Sequence, residues 1–277
     1  MPGIAVMALF AAALPNAVVL QPVANMYSKP TLDADVVSQA IYGLNVTLIE
    51  QQAEWARVRT PDDYTGWIPL ASLRPGPPYA VTGRVAEVRS LFANIYREAD
   101  VTRRAPLLTV PFEARLEVVS DPAGNARWAA VRLPDDRPAW VQLGDLAFDP
   151  KPLTVADMVE FSKRFLGLPY TWGGTSAFGY DCSGFMQMLE RRRGVLMPRD
   201  AQPQADWSGL EPVDRKNLQP GDLLYFGSSA KRITHTGMYL GAGKFINATT
   251  YETPMVRIDD LDVPRWTALL VAMRRVK

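Results

Sequence analysis

Two side chains suited to thiol–imidazole chemistry occur once each in this 277-residue chain, Cys182 and His235. A thiolate that attacks a carbonyl needs a nearby base, and the base needs a third group to orient it. Asn247, 12 residues beyond His235, is a polar residue of the right kind for that third place. Each residue also has a plainer reading. A lone cysteine is commonly a small buried hydrophobe, and a lone histidine is commonly structural. Asn247 opens an Asn-Ala-Thr glycosylation sequon. One cysteine excludes an intrachain disulfide, and a zinc site would need carboxylates, with no H-E-x-x-H pair to start from.

The elements that must position these residues are legible around them. Cys182 ends the Gly-rich aromatic loop PYTWGGTSAFGYDC, and SGFMQMLERRRG then reads as a helix closing at Gly194. A cysteine at a helix N-terminus sits where unpaired amides and the dipole stabilise a thiolate and can hold an oxyanion. An earlier helix, TVADMVEFSKRFLG, has Thr154 at its N-cap and Gly167 past its end. PGDLLYFG (220–227), THTGMYLG (234–241) and GKFINAT (243–249) read as successive strands. His235 opens one strand and Asn247 lies in the next, so a hairpin would set the two side by side. GAGK at 241–244 is no phosphate loop, because Met238 and Phe245 stand where that pattern needs Gly and Ser or Thr. Arg191 to Arg193 read as a solvated helix end.

Ahead of this region the chain repeats itself. ANMY (24–27), EWARVRTPDD (54–63) and GWIPLASL (66–73) return as ANIY (93–96), RWAAVRLPDD (127–136) and AWVQLGDL (139–146). Asn25 and Tyr27 match Asn94 and Tyr96 at an offset of 69, and Trp55 and Trp67 match Trp128 and Trp140 at 73. The difference falls at DPAGN (121–125), a turn-type insertion. Short alternating segments between Pro, Gly and Asp predict a small β-barrel in each copy, with the four tryptophans in its core. PGPPYAVTG (75–83) and DPKP (149–152) are Pro-rich, semi-rigid linkers. The expected organisation is an N-terminal segment over 1–19, β modules over 20–76 and 83–149, and a catalytic domain over 152–277.

Composition narrows the partners. Thirty Lys plus Arg against 29 Asp plus Glu leave a net charge of +1, so no strong field gathers nucleic acid or an anionic membrane. No motif calls for a nucleotide, metal or other cofactor. The apolar run IAVMALFAAAL (4–14) is too short to span a bilayer. It has the length of a signal-peptide core, but no Lys or Arg precedes it. A cleaved export signal, placing the protein in the envelope, and a folded segment in a cytoplasmic protein both stay open.

The motifs taken together resemble a known family. Y-x-W-G-G and D-C-S-G-F, then Pro-Arg-Asp at 198–200, P-G-D-L and H-x-G-M-Y-L-G, are similar to the signature of NlpC-like cell-wall peptidases. The repeat resembles the tandem bacterial SH3 domains that precede one branch of that family. The resemblance implies an α+β chain: a papain-like NlpC-type catalytic domain behind two SH3-like β-barrels. It implies cleavage of the γ-D-glutamyl–diamino acid bond in peptidoglycan stem peptides, in wall turnover or recycling. Cys182 matches the nucleophile and His235 the base. Asn247 stands where the family commonly has a second histidine, and Tyr170 matches a tyrosine whose hydroxyl faces the site.

The branch with SH3 domains looks built for stem peptides with a free N-terminal L-alanine. By resemblance Asp200, Asp181 and Ser183 are substrate-binding, joined by Asp35 and Tyr64 from the first module. A buried ammonium is tolerated only when paired, and each charge-assisted bond is worth about 1.5–3 kcal/mol. Ala201 departs from a hydroxyl residue of some relatives and removes one expected hydrogen bond. Two other functions remain possible on sequence alone. One is a non-catalytic wall-binding protein with a degenerate C-terminal domain. The other is an amidase or acyltransferase using the same cysteine and histidine.

Overall fold

The computed structural model describes residues 16–120 and 126–277. The apolar run at 4–14 and the DPAGN insertion therefore lie outside the described residues.

The first module consists of β1 (Asn16–Val19), β2 (Val23–Tyr27), β3 (Val36–Ile41), β4 (Asn45–Gln52), β5 (Trp55–Arg59), β6 (Thr65–Pro69) and β7 (Leu73–Pro75). The second consists of β8 (Arg84–Val88), β9 (Phe92–Tyr96), β10 (Leu108–Pro111), β11 (Arg115–Val118), β12 (Trp128–Arg132), β13 (Pro138–Gln142) and β14 (Leu146–Phe148). Their sheet orders are β3-β2-β6-β5-β4-β1-β7 and β10-β9-β13-β12-β11-β8-β14, the same topology twice. In the first, all seven strands send side chains into one core, including Val19, Met26, Ala40, Val46, Val58, Ile68 and Leu73, so the sheet must curl around it. β1 belongs to this sheet although the sequence reading assigns 16–19 to a preceding segment. Its Ala17, Val18 and Val19 are buried, and it pairs with β4 and β7.

The tryptophans are not core. Trp55, Trp67, Trp128 and Trp140 are all half-buried, and the cores are made of Ala, Val, Ile, Leu and Met, with Tyr42 packed into the second. Strand alternation turns Ala56 and Val58, and Ala129 and Val131, inward, which leaves the indoles on the other face. Tyr27 meets Trp55 edge-on at 5.4 Å, and Tyr96 meets Trp128 edge-on at 5.5 Å.

The C-terminal domain opens with α1 (Val155–Ser162), capped as expected by Thr154 Oγ1, which accepts from Asp157 N at 3.1 Å. A hairpin of β15 (Thr175–Ser176) and β16 (Gly179–Tyr180) leads into α2 (Cys182–Arg192) and then α3 (Ala201–Ala205). The sheet comprises β17 (Leu210–Pro212), β18 (Leu223–Ser229), β19 (Arg232–Gly241), β20 (Lys244–Thr249), β21 (Met255–Asp260) and β22 (Leu270–Val276), with α4 (Pro264–Leu269) before the last strand. Its order, β17-β22-β18-β19-β20-β21, is antiparallel throughout. α2 lies on β19 and β20 and is buried from Cys182 to Glu190. Phe185, Met186 and Leu189 share one core with Leu223, Met238 and Ile246, which fixes the helix against the sheet.

Arg191 to Arg193 are not a solvated end. Arg191 pairs with Glu113 and Arg192 with Glu87, both at 2.5 Å, and Arg193 pairs with Glu190 at 2.7 Å. The C-terminus of α2 points at the second module, whose acids complement both the cations and the helix dipole. Among the described residues no helix is long and apolar enough to cross a membrane.

Candidate active site

Asp181 is the N-cap of α2, and its Oδ1 accepts from Gly184 N at 2.7 Å. That cap places Cys182 in the first helical turn, as the sequence predicts. Cys182 is 7% exposed, and the backbone amides of Ser183 and Thr236 lie close enough to its sulfur to favour the thiolate. Thr236 follows His235 on β19, so the start of α2 and the histidine strand meet at the sulfur. The thiol is not pre-ionised, contrary to the expectation from the helix dipole. Burial, reinforced by the Asp181 carboxylate, pushes it up to about 12, against the lowering effect of the two amides and Arg199.

His235 Nε2 lies 2.9 Å from Asn247 Oδ1. The pairing of β19 with β20 brings them together, and Gly237 makes the close approach possible. A Cβ on Gly237 would stand 2.8 Å from the Phe245 ring and 3.0 Å from Asn247 Cβ. The Asn247 amide has one allowed orientation, because its Nδ2 donates to the Asp259 carboxylate at 3.0 Å and to Arg257 O at 3.4 Å. Oδ1 therefore accepts from the ring, Nε2 carries the proton, and Nδ1 keeps the lone pair of a base, a tautomer assigned from this network. Trp266 stacks on the ring at 5.2 Å, and Phe226 stands at 5.7 Å. Burial pushes the imidazole down to about 4, with Asn247 and Asp259 acting in the opposite direction. Burial thus disfavours the charged form of both groups.

Tyr170 lies beside this pair. Burial, then the proximity of Cys182 and Asp181, raises its hydroxyl above the ordinary tyrosine range. Asp200 and Tyr64 meet across the domain boundary, with Tyr64 Oη donating to Asp200 Oδ2 at 3.0 Å. Among the described residues, Asp200 Oδ1 has no hydrogen-bond partner. Burial raises the Asp200 carboxyl, and Arg199 and Tyr64 only partly offset that. Tyr64, Arg199, Asp200, Pro203 and Trp207 line a cavity of about 310 Å³.

Asp181 and Ser183, read from the sequence as substrate contacts, turn their side chains inward. The Arg199 guanidinium, 1% exposed, spans both Asp181 oxygens at 3.0 and 2.6 Å and donates to Ser183 Oγ at 2.9 Å. Its Nε donates to Ser38 Oγ of the first module at 3.2 Å. Asp35 is exposed just before β3, its carboxylate free of partners among the described residues. β3 nonetheless borders the loop ahead of Cys182. Gly173, at φ +72°, leaves no room for a Cβ, which would stand 2.8 Å from Val36 Cγ1. Gln39 holds Thr175, accepting from its N at 3.1 Å and from its hydroxyl at 3.2 Å.

The sequence reading missed Arg199, Gln39 and Asp259. Arg199 lies inside the Pro-Arg-Asp motif, in which the resemblance assigns a role to the acid alone. Among the described residues, no three of His, Cys, Asp and Glu converge as a metal site.

Residues 167–275 match the NlpC/P60 family, and residues 26–73 match the bacterial dipeptidyl-peptidase SH3 domain. A Bacillus cereus protein named γ-D-glutamyl-L-lysine dipeptidyl-peptidase is 30% identical over 86% of this chain and 74% of its own length. Dipeptidyl-peptidase 6 of Lysinibacillus sphaericus is 27% identical over 84% of this chain and 88% of its own. The crystal structure of a Bacillus cereus NlpC/P60 protein superposes with a TM-score of 0.82 at 26% identity, covering 94% of this chain and 99% of that one. With its SH3-like modules and its mixed α/β domain, this chain belongs to the NlpC/P60 family and is a cysteine peptidase.

Proposed function

We propose that this peptidase hydrolyses the γ-D-glutamyl–diamino acid bond of peptidoglycan stem peptides whose N-terminal L-alanine is free. The observation that carries the reading is the Tyr64–Asp200 pair at the cleft edge. Asp200 is a half-buried carboxylate with one oxygen unpartnered among the described residues, and it lines a cavity together with Tyr64, Arg199 and Trp207. Such a group favours an ammonium, because a cation relieves what burial imposes on it. The relatives named for γ-D-glutamyl-L-lysine dipeptidyl-peptidase activity support the same bond.

A cysteine peptidase with one cysteine has one nucleophile to offer, Cys182. His235 Nδ1 takes the thiol proton as sulfur attacks the γ-glutamyl carbonyl. Because burial disfavours the charged form of both groups, transfer is coupled to attack rather than completed beforehand. The Cys182 N–H, at the start of α2, donates to the developing oxyanion. Tyr170 presents its hydroxyl to the same reacting centre. The imidazolium then returns its proton to the leaving amine, and water releases the acyl group by the reverse use of the base. Arg199 positions this machinery, holding the cap of the helix that carries Cys182 while gripping the first module.

The test is a paired digestion read by mass spectrometry. L-Ala-γ-D-Glu-diaminopimelate should be cut, its N-acetylated form should survive, and Cys182→Ala should cut neither. Equal cleavage of both peptides would remove the amine clamp and leave the thiol chemistry. Hydrolysis by Cys182→Ala would overturn the mechanism.

A further inference from the structure

We propose that Asp259 is a positioning residue for the His235 base, acting through Asn247 to fix the ring's tautomer and to place a negative charge behind it. The inference rests on the reading of His235 as the base, and it extends the machinery by one residue from β21.

At two neighbouring positions of β21 the hydrophobic logic is inverted. Ile258 is 39% exposed, whereas Asp259 beside it is 7% exposed. A buried carboxylate next to an exposed isoleucine is the informative kind of departure, because burying a charge is costly unless it is used and paired. Asp259 is paired twice. Oδ1 takes the Arg257 guanidinium at 2.6 Å, and Oδ2 takes the Asn247 amide at 3.0 Å. Asn247, wholly buried, lies opposite Arg257 in the ladder, so Asp259 is its diagonal neighbour two residues on.

An asparagine alone is an imperfect orienting group. Its amide presents oxygen or nitrogen to the ring with nearly the same shape, and only the oxygen accepts from Nε2–H. Turned over, the amide would give a donor to the ring and drive the proton to Nδ1, the nitrogen that must receive the thiol proton. Asp259 is acceptor-only when ionised and holds the amide the right way round. The Arg257 carbonyl, at 3.4 Å, is the weaker second acceptor. An aspartate–asparagine couple thus does what a single charged or aromatic partner would do directly. It sets the tautomer and supplies charge as imidazolium forms.

The other charged and titratable groups facing the ring come from different elements. Asp181 at the start of α2 acts in the same direction as Asp259, and Arg265 of α4 opposes them. The Cys182 thiol, on α2, and the Tyr225 hydroxyl, on β18 opposite Thr236, are further titratable neighbours of the strand that carries the ring. Removing the Asp259 charge therefore shifts the balance toward neutral imidazole.

Because His235 is the sole histidine, its ring nitrogens can be read by ¹⁵N NMR of the full chain without assignment. The intact protein should show a single Nε2–H tautomer, and Asp259→Leu should show a mixture of the two. Asp259→Asn keeps shape and an acceptor but loses charge, and guards against failure of the leucine variant to fold. We expect kcat to fall about 10-fold in Asp259→Asn and about 100-fold in Asp259→Leu, because a base in the wrong tautomer is largely inactive. KM should stay within twofold. The acid limb of kcat, read with Asp200 occupied by bound substrate, should move to lower pH in Asp259→Asn, since imidazolium has lost its supporting charge. Lost stability alone would lower activity at acid pH first, which is the opposite signature. A pure Nε2–H tautomer in Asp259→Leu, or an unmoved acid limb with unchanged kcat in Asp259→Asn, would overturn the proposal. Hydrolysis by Cys182→Ala would instead remove the catalytic reading beneath it, and the ¹⁵N signals would still decide whether Asp259 sets the tautomer.

Discussion

The two β modules share a strand order and a repeated sequence, yet among the described residues only the first bonds Arg199 and Asp200, beside the proposed site. Their turns make the clearest comparison. Asp62-Asp63-Tyr64 and Asp135-Asp136-Arg137 occupy the same place, and the second acid takes a positive φ in both, 62° and 65°. In the first module the turn reaches outward, with Asp62 accepting from Gln187 of α2 at 2.9 Å and Tyr64 donating to Asp200. In the second, Asp135 folds back on Arg137 at 2.6 Å. The strand after the first asparagine differs in the same way. Gln39 bonds Asn25 at 3.0 Å and is long enough to reach Thr175 as well, whereas Thr109 ends on Asn94 at 2.7 Å. One scaffold is made into a wall of the cleft, and its copy into a brace, by a few side chains of different length and charge.

Arg199 should give the largest effect, because it joins the first module to the cap of α2. Arg199→Met leaves the Asp181 carboxylate buried without its partner, a change that typically costs about 3–5 kcal/mol. Both thermal stability and kcat/KM should fall, the latter more than 100-fold, because the cap that places Cys182 is released. Arg199→Lys should recover part of the stability but little of the activity, since an ammonium cannot span both oxygens of Asp181. A variant that kept its activity while losing stability would show that the first module's grip on the cap is not needed for chemistry.

Those consequences could be read only in part from the amino-acid sequence. The repeat, both longer helices and the order Cys182, His235, Asn247 were visible, because periodicity, capping residues and strand alternation are local signals. The position of Asp200 was visible through a motif. What escaped was long-range and polar. Nothing local marks Ser38 as the partner of Arg199, 161 residues away, or Asp259 as the support of Asn247. The four tryptophans misled for a related reason. Residue type says that indole is apolar, but the phase of the strand decides which face it takes. The thiol of Cys182 misled because helix position favours its anion, while the depth of burial, which tertiary packing sets, opposes it and prevails.

Phe112 of the second module should separate stability from catalysis. It is 4% exposed, sits in the catalytic domain's core against Phe161 and Phe165 at 5.5 and 5.7 Å, and lies under the Arg192 guanidinium. Phe112→Ala should cost about 3–4 kcal/mol, as large core truncations do. Well below its melting temperature it should cleave the free tripeptide with kcat/KM within twofold of the parent, as suits a brace. Calorimetry and steady-state kinetics on the same preparation decide it. A loss of kcat/KM comparable to that of Arg199→Met would mean that the second module also shapes the cleft.

The smallest effect should come from Tyr64, whose counterpart in the copy is Arg137. Tyr64→Phe removes one hydroxyl from Asp200 and leaves the ring to line the cavity. A single hydrogen bond to a charged acceptor is worth about 1.5 kcal/mol, so KM for the free-amine tripeptide should rise about 10-fold at unchanged kcat. The hydroxyl also steadies the Asp200 carboxylate, which burial already pushes toward protonation. Its loss moves that carboxyl further up. The rise of KM on acidification, as Asp200 takes a proton and can no longer hold the ammonium, should therefore begin at higher pH in the variant. Arg137→Ala, at the matching turn of the second module, should leave KM, kcat and this pH dependence unmoved. If both substitutions altered KM alike, the division into wall and brace would fail at the residues that define it.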